Sequence, residues 1–182
     1  MKTESTALYV TRLAVTLLLI TAVVAALLAG VNSITKPVID NLKAQKTQAA
    51  IAAVLPGGGE EMKDFPATAL VSKVYASDLG YAVQVTPGGF DNTITMMVGI
   101  DKEGNILGID IISHTETAGL GAVADAETPA GVSFREQFIG MNGTVSVSKD
   151  GGEVEAITGA TITSRAVCAG VNAALACAAT LG

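Results

Sequence analysis

Thr158-Gly159-Ala160-Thr161-Ile162-Thr163-Ser164 marks the point near the carboxyl end where one structural period gives way to another. Val154 to Ile157, just before it, is an apolar strand-like run. After it Val167, Val171, Ala174, Leu175 and Ala178 fall on one helical face. The stretch is therefore a turn from strand to helix. Gly159 and Ala160 let another molecule approach the backbone closely, while Thr161, Thr163 and Ser164 are candidate caps for the first helical amides. A helix entrance of this kind also favours a phosphate, through free amides and the helix dipole.

Working back from this turn, the chain reads as strands. Leu70 to Ala76, Gly80 to Thr86, Thr93 to Asp101 and Asn105 to Ser113 are runs rich in β-branched residues and separated by turn chemistry. Asp101 to Asn105 predicts a hairpin loop with Gly104 at a positive φ. Thr144 to Lys149 and Val154 to Ile157 are expected as two last strands joined at Asp150-Gly151-Gly152. Between the two sets, Ser133 followed by Glu136 suggests a capping box, with Phe134 and Phe138 one helical turn apart and entering the core. The expected class is α+β, an antiparallel sheet packed by helices.

The amino-terminal part has a different character. Leu13 to Val31 carries no charge, and about 19 apolar residues are enough to cross a bilayer as a helix. It reads as a single transmembrane anchor, since the apolar region of a secretory signal spans only about 7 to 15 residues. Lys2 and Arg12 precede it while Lys36, Lys43 and Lys46 follow, so the balance of positive charge does not favour a cytoplasmic amino terminus. Pro37 suits the first turn of a new helix. Val38, Leu42, Ala49 and Ala53 then recur at helical spacing up to the stop at Pro56-Gly57-Gly58-Gly59. The expected organisation is residues 1–12 before the membrane, 13–31 across it, 32–59 as a helical stalk and 60–182 as the folded domain.

Composition narrows the function. The formal charge of −6 without a basic cluster excludes a nucleic-acid binder. One His and two distant Cys do not supply the roughly four ligands of a closed metal site, although His114 and Glu116 share a strand face, so no metal is expected. His114 is expected as a hydrogen-bonded structural residue. Cys168 and Cys177 lie on one helix about 180° and roughly 13.5 Å apart, which forbids a disulfide between them and makes them small core residues. Phe90, in the loop Pro87-Gly88-Gly89-Phe90, is expected to anchor that loop in the core, a planar ligand being the alternative. Ser113 to Gly121 runs from a strand into a Gly-rich loop, a usual location for functional side chains. No Gly-x-Gly-x-x-Gly fingerprint follows a strand, and the entry Thr11-Arg12-Leu13-Ala14-Val15 lacks the processing signal of a pilin.

The segment Ala156 to Ser164 resembles the Ser/Thr-Gly-Ala-Thr flavinylation motif of FMN-binding subunits in membrane redox complexes. Glu116-Thr117-Ala118-Gly119-Leu120-Gly121 resembles that family's Glu-Thr-Pro-Gly-Leu-Gly loop, with Ala118 in place of the Pro. The chain as a whole is most similar to the G subunit of Rnf-type ion-translocating ferredoxin:NAD oxidoreductase complexes, and next to the C subunit of the sodium-pumping NADH:quinone oxidoreductase. The resemblance implies FMN joined through its phosphate to Thr161 by a flavin transferase. Thr158, Gly159 and Ala160 would shape the attachment turn, with Thr163 and Ser164 beyond it. Glu116, Thr117, Gly119 and Leu120 would border the ring. It further implies an electron carrier that is not catalytic alone, partnered by other membrane subunits and by lipid, with its folded domain outside the cytoplasmic membrane. A stand-alone membrane-anchored flavin reductase is the alternative activity, yet it would need substrate-gripping Arg or His residues.

Overall fold

The computed structural model of the chain describes residues 6–65 and 68–181. Lys2, used above for orientation, and the first part of the 1–12 segment lie outside them. The backbone divides into two units, one ending at Ala44 and the other running Gln45–Gly182.

In the first unit, helix α1 (Thr6–Val54) is unbroken through Pro37, where a new helix start was expected. Pro37 removes one backbone donor, and apolar helices absorb such a loss without breaking. Leu17, Leu18, Leu27, Leu28 and Val31 are all exposed, and the helix contains a window of mean hydropathy 2.6. That stretch is long and apolar enough to cross a membrane.

The second unit contains the end of α1 and the sheet. Strands β1 (Glu60–Met62), β2 (Val71–Ala76), β3 (Gly80–Val85), β4 (Thr95–Asp101) and β5 (Ile106–Ser113) lie in sequential order, each antiparallel to the next. The four expected strands are present within two residues of their expected starts. The short β1 is an addition, because three residues with only Met62 half-buried carry no readable period.

Alternation explains why the sheet is covered on both faces. Val74, Val83, Val85, Met96, Val98 and Ile100 face one cluster, which Phe134, Phe138, Val167 and Val171 complete. Tyr75, Ala82, Met97 and Ile112 face the other, against Ala50, Ile51, Val54 and Leu55 from the last turns of α1. β4 is buried on both faces and so reads as a continuous apolar run. Gly99 is required there: a Cβ would run into the Val54 carbonyl oxygen. The expected Asp101 to Asn105 turn forms with Gly104 at φ 87°, and Asp101 accepts from the amides of Glu103 and Asn105.

Two local expectations are corrected. Helix α2 (Pro129–Glu136) begins four residues before Ser133, with Thr128 as cap accepting from the Gly131 amide at 3.3 Å. Pro129 sets the start, because its missing N–H costs nothing in a first turn. Phe134 and Phe138 are buried as expected, edge to face with centroids 5.5 Å apart. The two last strands do not form; a single parallel bridge, Val147 to Val154, stands in their place. The side chain of Asn172 takes over as partner there, accepting from the Val145 amide at 2.7 Å and donating to its carbonyl at 2.8 Å. Helix α3 (Thr161–Ala178) then packs its buried face on the sheet.

Candidate functional site

The turn into α3 is built by Gly159, at φ 77°, and by Ser164. Ser164 Oγ accepts from the Ile157 amide and donates to the Ala160 carbonyl, both at 3.0 Å, which ties the strand-like segment to the first helical turn. Ala160 occupies the cap position and no side chain caps the helix. The expectation that Thr161, Thr163 or Ser164 caps it is therefore corrected. Thr161 and Thr163 are already inside the helix, and Ser164 braces the turn instead.

Thr163 is buried and turns inward. Its hydroxyl donates to Glu116 Oε2 at 2.5 Å. Glu116, only 8% exposed, accepts through Oε1 from the amides of Phe90 at 2.9 Å and Asp91 at 3.4 Å. One carboxylate thus joins three parts of the chain: its own loop after β5, the Phe90 loop and α3. Its amide in turn donates to His114 Nδ1 at 3.2 Å, while His114 Nε2 lies 3.6 Å from Asp125. Burial pushes the Asp125 carboxyl up, opposed by His114 and Lys46. His114 has the structural role expected of it.

Between these braces lies a cleft of about 280 Å³ lined by Phe90, Glu116, Thr117, Leu120, Gly121, Lys149, Gly159, Ala160, Thr161, Ile162 and Thr163. That is just under the range of roughly 300 to 1,000 Å³ usual for small-ligand sites, suited to a flat ring with one end at the mouth. Gly121 keeps the floor open, since a Cβ there would collide with Glu116 and Thr163. Of the residues expected at the site, Glu116, Thr117, Leu120, Gly159, Ala160, Thr161 and Thr163 meet on this one cleft. Thr158 and Gly119 instead line a neighbouring hollow with Val123 and Phe134, and Ser164 is buried beneath the turn.

Phe90 takes the alternative weighed for it rather than the expected one, and two further wall residues, Ile162 and Lys149, were not expected from the sequence. Phe90 is 66% exposed and lines the cleft rather than anchoring a core. Its loop is held by Glu116 at the backbone, which frees the ring. Ile162 joins it as an exposed apolar edge. Lys149 donates from Nζ to Thr161 Oγ1 at 3.2 Å across the mouth. A lone Lys in a polar run carries no sequence signal of such a contact. Arg165, by contrast, faces away into a two-pronged pair with Asp150, at 2.7 and 2.6 Å.

Comparison with known proteins decides what family this is. Residues 89–176, which include the Phe90 loop, the Glu116 loop and the turn into α3, match the FMN-binding domain family. The G subunit of a Na⁺-translocating ferredoxin:NAD⁺ oxidoreductase complex from Acetobacterium woodii is 32% identical, over 88% of this chain and 87% of its own length. The G subunit of an ion-translocating oxidoreductase complex from Methanosarcina acetivorans is 33% identical over 91% and 93%, and that from Yersinia pestis 34% over 88% and 87%. The chain belongs to the G-subunit family of Rnf-type ion-translocating oxidoreductase complexes.

For a member of this family the cleft fits FMN on its own chemistry. Phe90, Leu120 and Ile162 supply apolar surface for a flat ring, and Thr117 a hydroxyl at its edge. The mouth offers a cation, Lys149, and an uncapped helix entrance to a phosphate. The two buried thiols take no part. Burial pushes the Cys168 thiol up to about 11 and raises Cys177 as well, which disfavours the reactive thiolate at both.

Proposed function

We propose that this chain is the electron-carrying G subunit of a membrane-bound, ion-translocating ferredoxin:NAD oxidoreductase complex, with FMN attached by a phosphoester to Thr161. The observation that carries the reading is the sorting of the motif's hydroxyls. Thr163 is spent on Glu116, Ser164 is buried in the turn, and Thr158 opens on the neighbouring hollow. Thr161 is left half-exposed at the cleft mouth beside a lysine.

Bound FMN supplies the electron chemistry of its isoalloxazine ring, which attachment through the phosphate leaves unaltered. The chain's part is to hold and present it. Phe90, Leu120 and Ile162 exclude water from the ring faces, and the Glu116 brace keeps Phe90 and α3 in register. Thr158, Gly159 and Ala160 form the exposed turn that a flavin transferase reads. A covalent tether keeps the ring at high effective concentration beside its cleft, so the carrier is permanent. Among the described residues the cleft wall carries a single cation, Lys149, which gives little grip for the separate substrate of a stand-alone reductase.

On this reading α1 anchors the protein in the lipid as a single span, with residues 32–59 as the stalk, whose last part from Ala50 to Leu55 also covers one face of the sheet, and 60–182 as the flavin domain. The domain lies outside the cytoplasmic membrane by likeness to the family; the lysines that follow the span do not favour that side. The same likeness supports neighbouring membrane subunits as donor and acceptor.

The test is co-expression with a flavin transferase, followed by denaturing electrophoresis viewed under ultraviolet light and by intact mass. A fluorescent band with the mass of one added FMN is expected, lost in Thr161→Ala and kept in Thr163→Ala. No adduct on the wild-type chain, or loss that follows Thr163 instead, would overturn the assignment.

A further inference from the structure

Asp150-Gly151-Gly152, expected to join two strands, has another use. Ser148–Asp150 forms a single 3-10 turn, closed by hydrogen bonds from the Asp150 and Gly152 amides to the Val147 carbonyl at 2.8 and 3.1 Å. Gly151 adopts φ 85°, which favours glycine, and a Cβ on Gly152 would collide with the Ser146 carbonyl oxygen. The sequence of the turn is thus specified by its geometry. At its end Asp150 receives both prongs of Arg165, which sits one helical turn beyond Thr161 on α3. The pairing holds the Asp150 carboxyl below its ordinary range and raises the Arg165 guanidinium. A two-pronged Arg–carboxylate pair fixes orientation as well as distance. The turn is thereby pinned to the first two turns of α3, and Lys149 is carried over the mouth of the cleft with Nζ 3.2 Å from Thr161 Oγ1.

We propose that Lys149 is the phosphate-pairing residue of this site, and that the Asp150–Arg165 pair positions it. This rests on FMN occupying the cleft with its phosphate at Thr161. An attached phosphodiester keeps one negative charge, and the ammonium already touching the oxygen to be esterified is, among the described residues, the cleft's only wall cation to meet it. Arg165 cannot serve in its place, because Asp150 occupies its fork. The arrangement divides the labour: Arg165 acts through Asp150 as a positioning residue, and Lys149 touches the ligand. The phosphate end is then held independently of the ring, which leaves the exposed edges of Phe90, Leu120 and Ile162 to the isoalloxazine.

The experiment uses the full-length chain in detergent, produced without transferase and therefore unmodified, titrated separately with FMN and with riboflavin, which lacks the phosphate. Flavin fluorescence and its anisotropy report binding. The wild-type chain should prefer FMN by about tenfold, the scale of one charge-assisted contact. Lys149→Met should erase that preference, with FMN affinity falling by more than riboflavin affinity, and Lys149→Arg should keep it. Asp150→Asn, which keeps the Lys149 side chain but loosens the turn that carries it, should reduce it. Equal affinity for the two flavins in the wild-type chain, absent binding included, would overturn the proposal. So would a preference that survives Lys149→Met or disappears in Lys149→Arg. Circular dichroism of each variant reports the fold. Intact mass after co-expression with a transferase reads the Thr161 attachment separately, so failure there is distinguishable from failure at Lys149.

Discussion

Glu116 shows how much one side chain does at this site. It is a buried carboxylate that accepts from two loop amides and one hydroxyl, so its removal leaves one buried and two part-buried donors without partners. Each such loss costs about 1 to 3 kcal/mol. Glu116→Ala is expected to destabilise the domain by about 3 kcal/mol, read by chemical denaturation. Glu116→Gln should lose clearly less, since its amide oxygen still accepts while its NH₂ turns to Thr163. Equal loss in the two variants would show that an amide oxygen cannot take over the bonds to Phe90 and Asp91 and that only the carboxylate serves there. The sequence places Glu116 at the ligand only through the likeness of its loop. Its bonds to Phe90 and α3 span 26 and 47 residues, beyond the reach of any local pattern. The same distance hid Phe90: as a lone aromatic in a Gly-rich loop it reads as a core anchor, yet Glu116 anchors that loop by its backbone.

Among the elements, periodicity was informative where both neighbours are regular. β2 to β5 follow from alternation and turn residues, and α3 from its single buried face. It misled where side chains replace backbone partners, as Asn172 does for Val145, or where Pro and Thr move a helix start, as at α2. The junction of α1 with the sheet is a close approach, made at Gly99. Adding a methyl group there must lift the last turn of α1 from β4. Gly99→Ala is expected to destabilise by about 1 to 3 kcal/mol, the usual cost of overpacking. Amide hydrogen exchange should quicken at Ile51 to Leu55 while β2 and β3 are least affected. Unchanged protection of that turn would refute the close approach.

For the whole molecule, the two units have different solvents. The large apolar side chains of α1 from Leu8 to Leu42 are exposed, whereas both faces of the sheet are covered by residues after Gln45. A chain beginning at residue 45 should therefore fold without detergent, keep cooperative thermal unfolding, and still accept FMN at Thr161. Aggregation in the absence of detergent, with full-length protein folded normally, would show that the anchor contributes to the core.

The sequence by itself determined the apolar amino-terminal helix, the α+β class, the positions of four main strands and, through two short motifs, the likeness to the family and the turn that carries Thr161. These are local properties, set by hydropathy, by periods of two and 3.6, and by the few residues that tolerate tight turns. Tertiary structure alone decided which hydroxyl faces the cleft, which carboxylate holds the Phe90 loop, and which lysine meets Thr161. Those are contacts between segments 12 to 47 residues apart, where hydrogen bonding and close packing select among side chains that look alike in a linear chain.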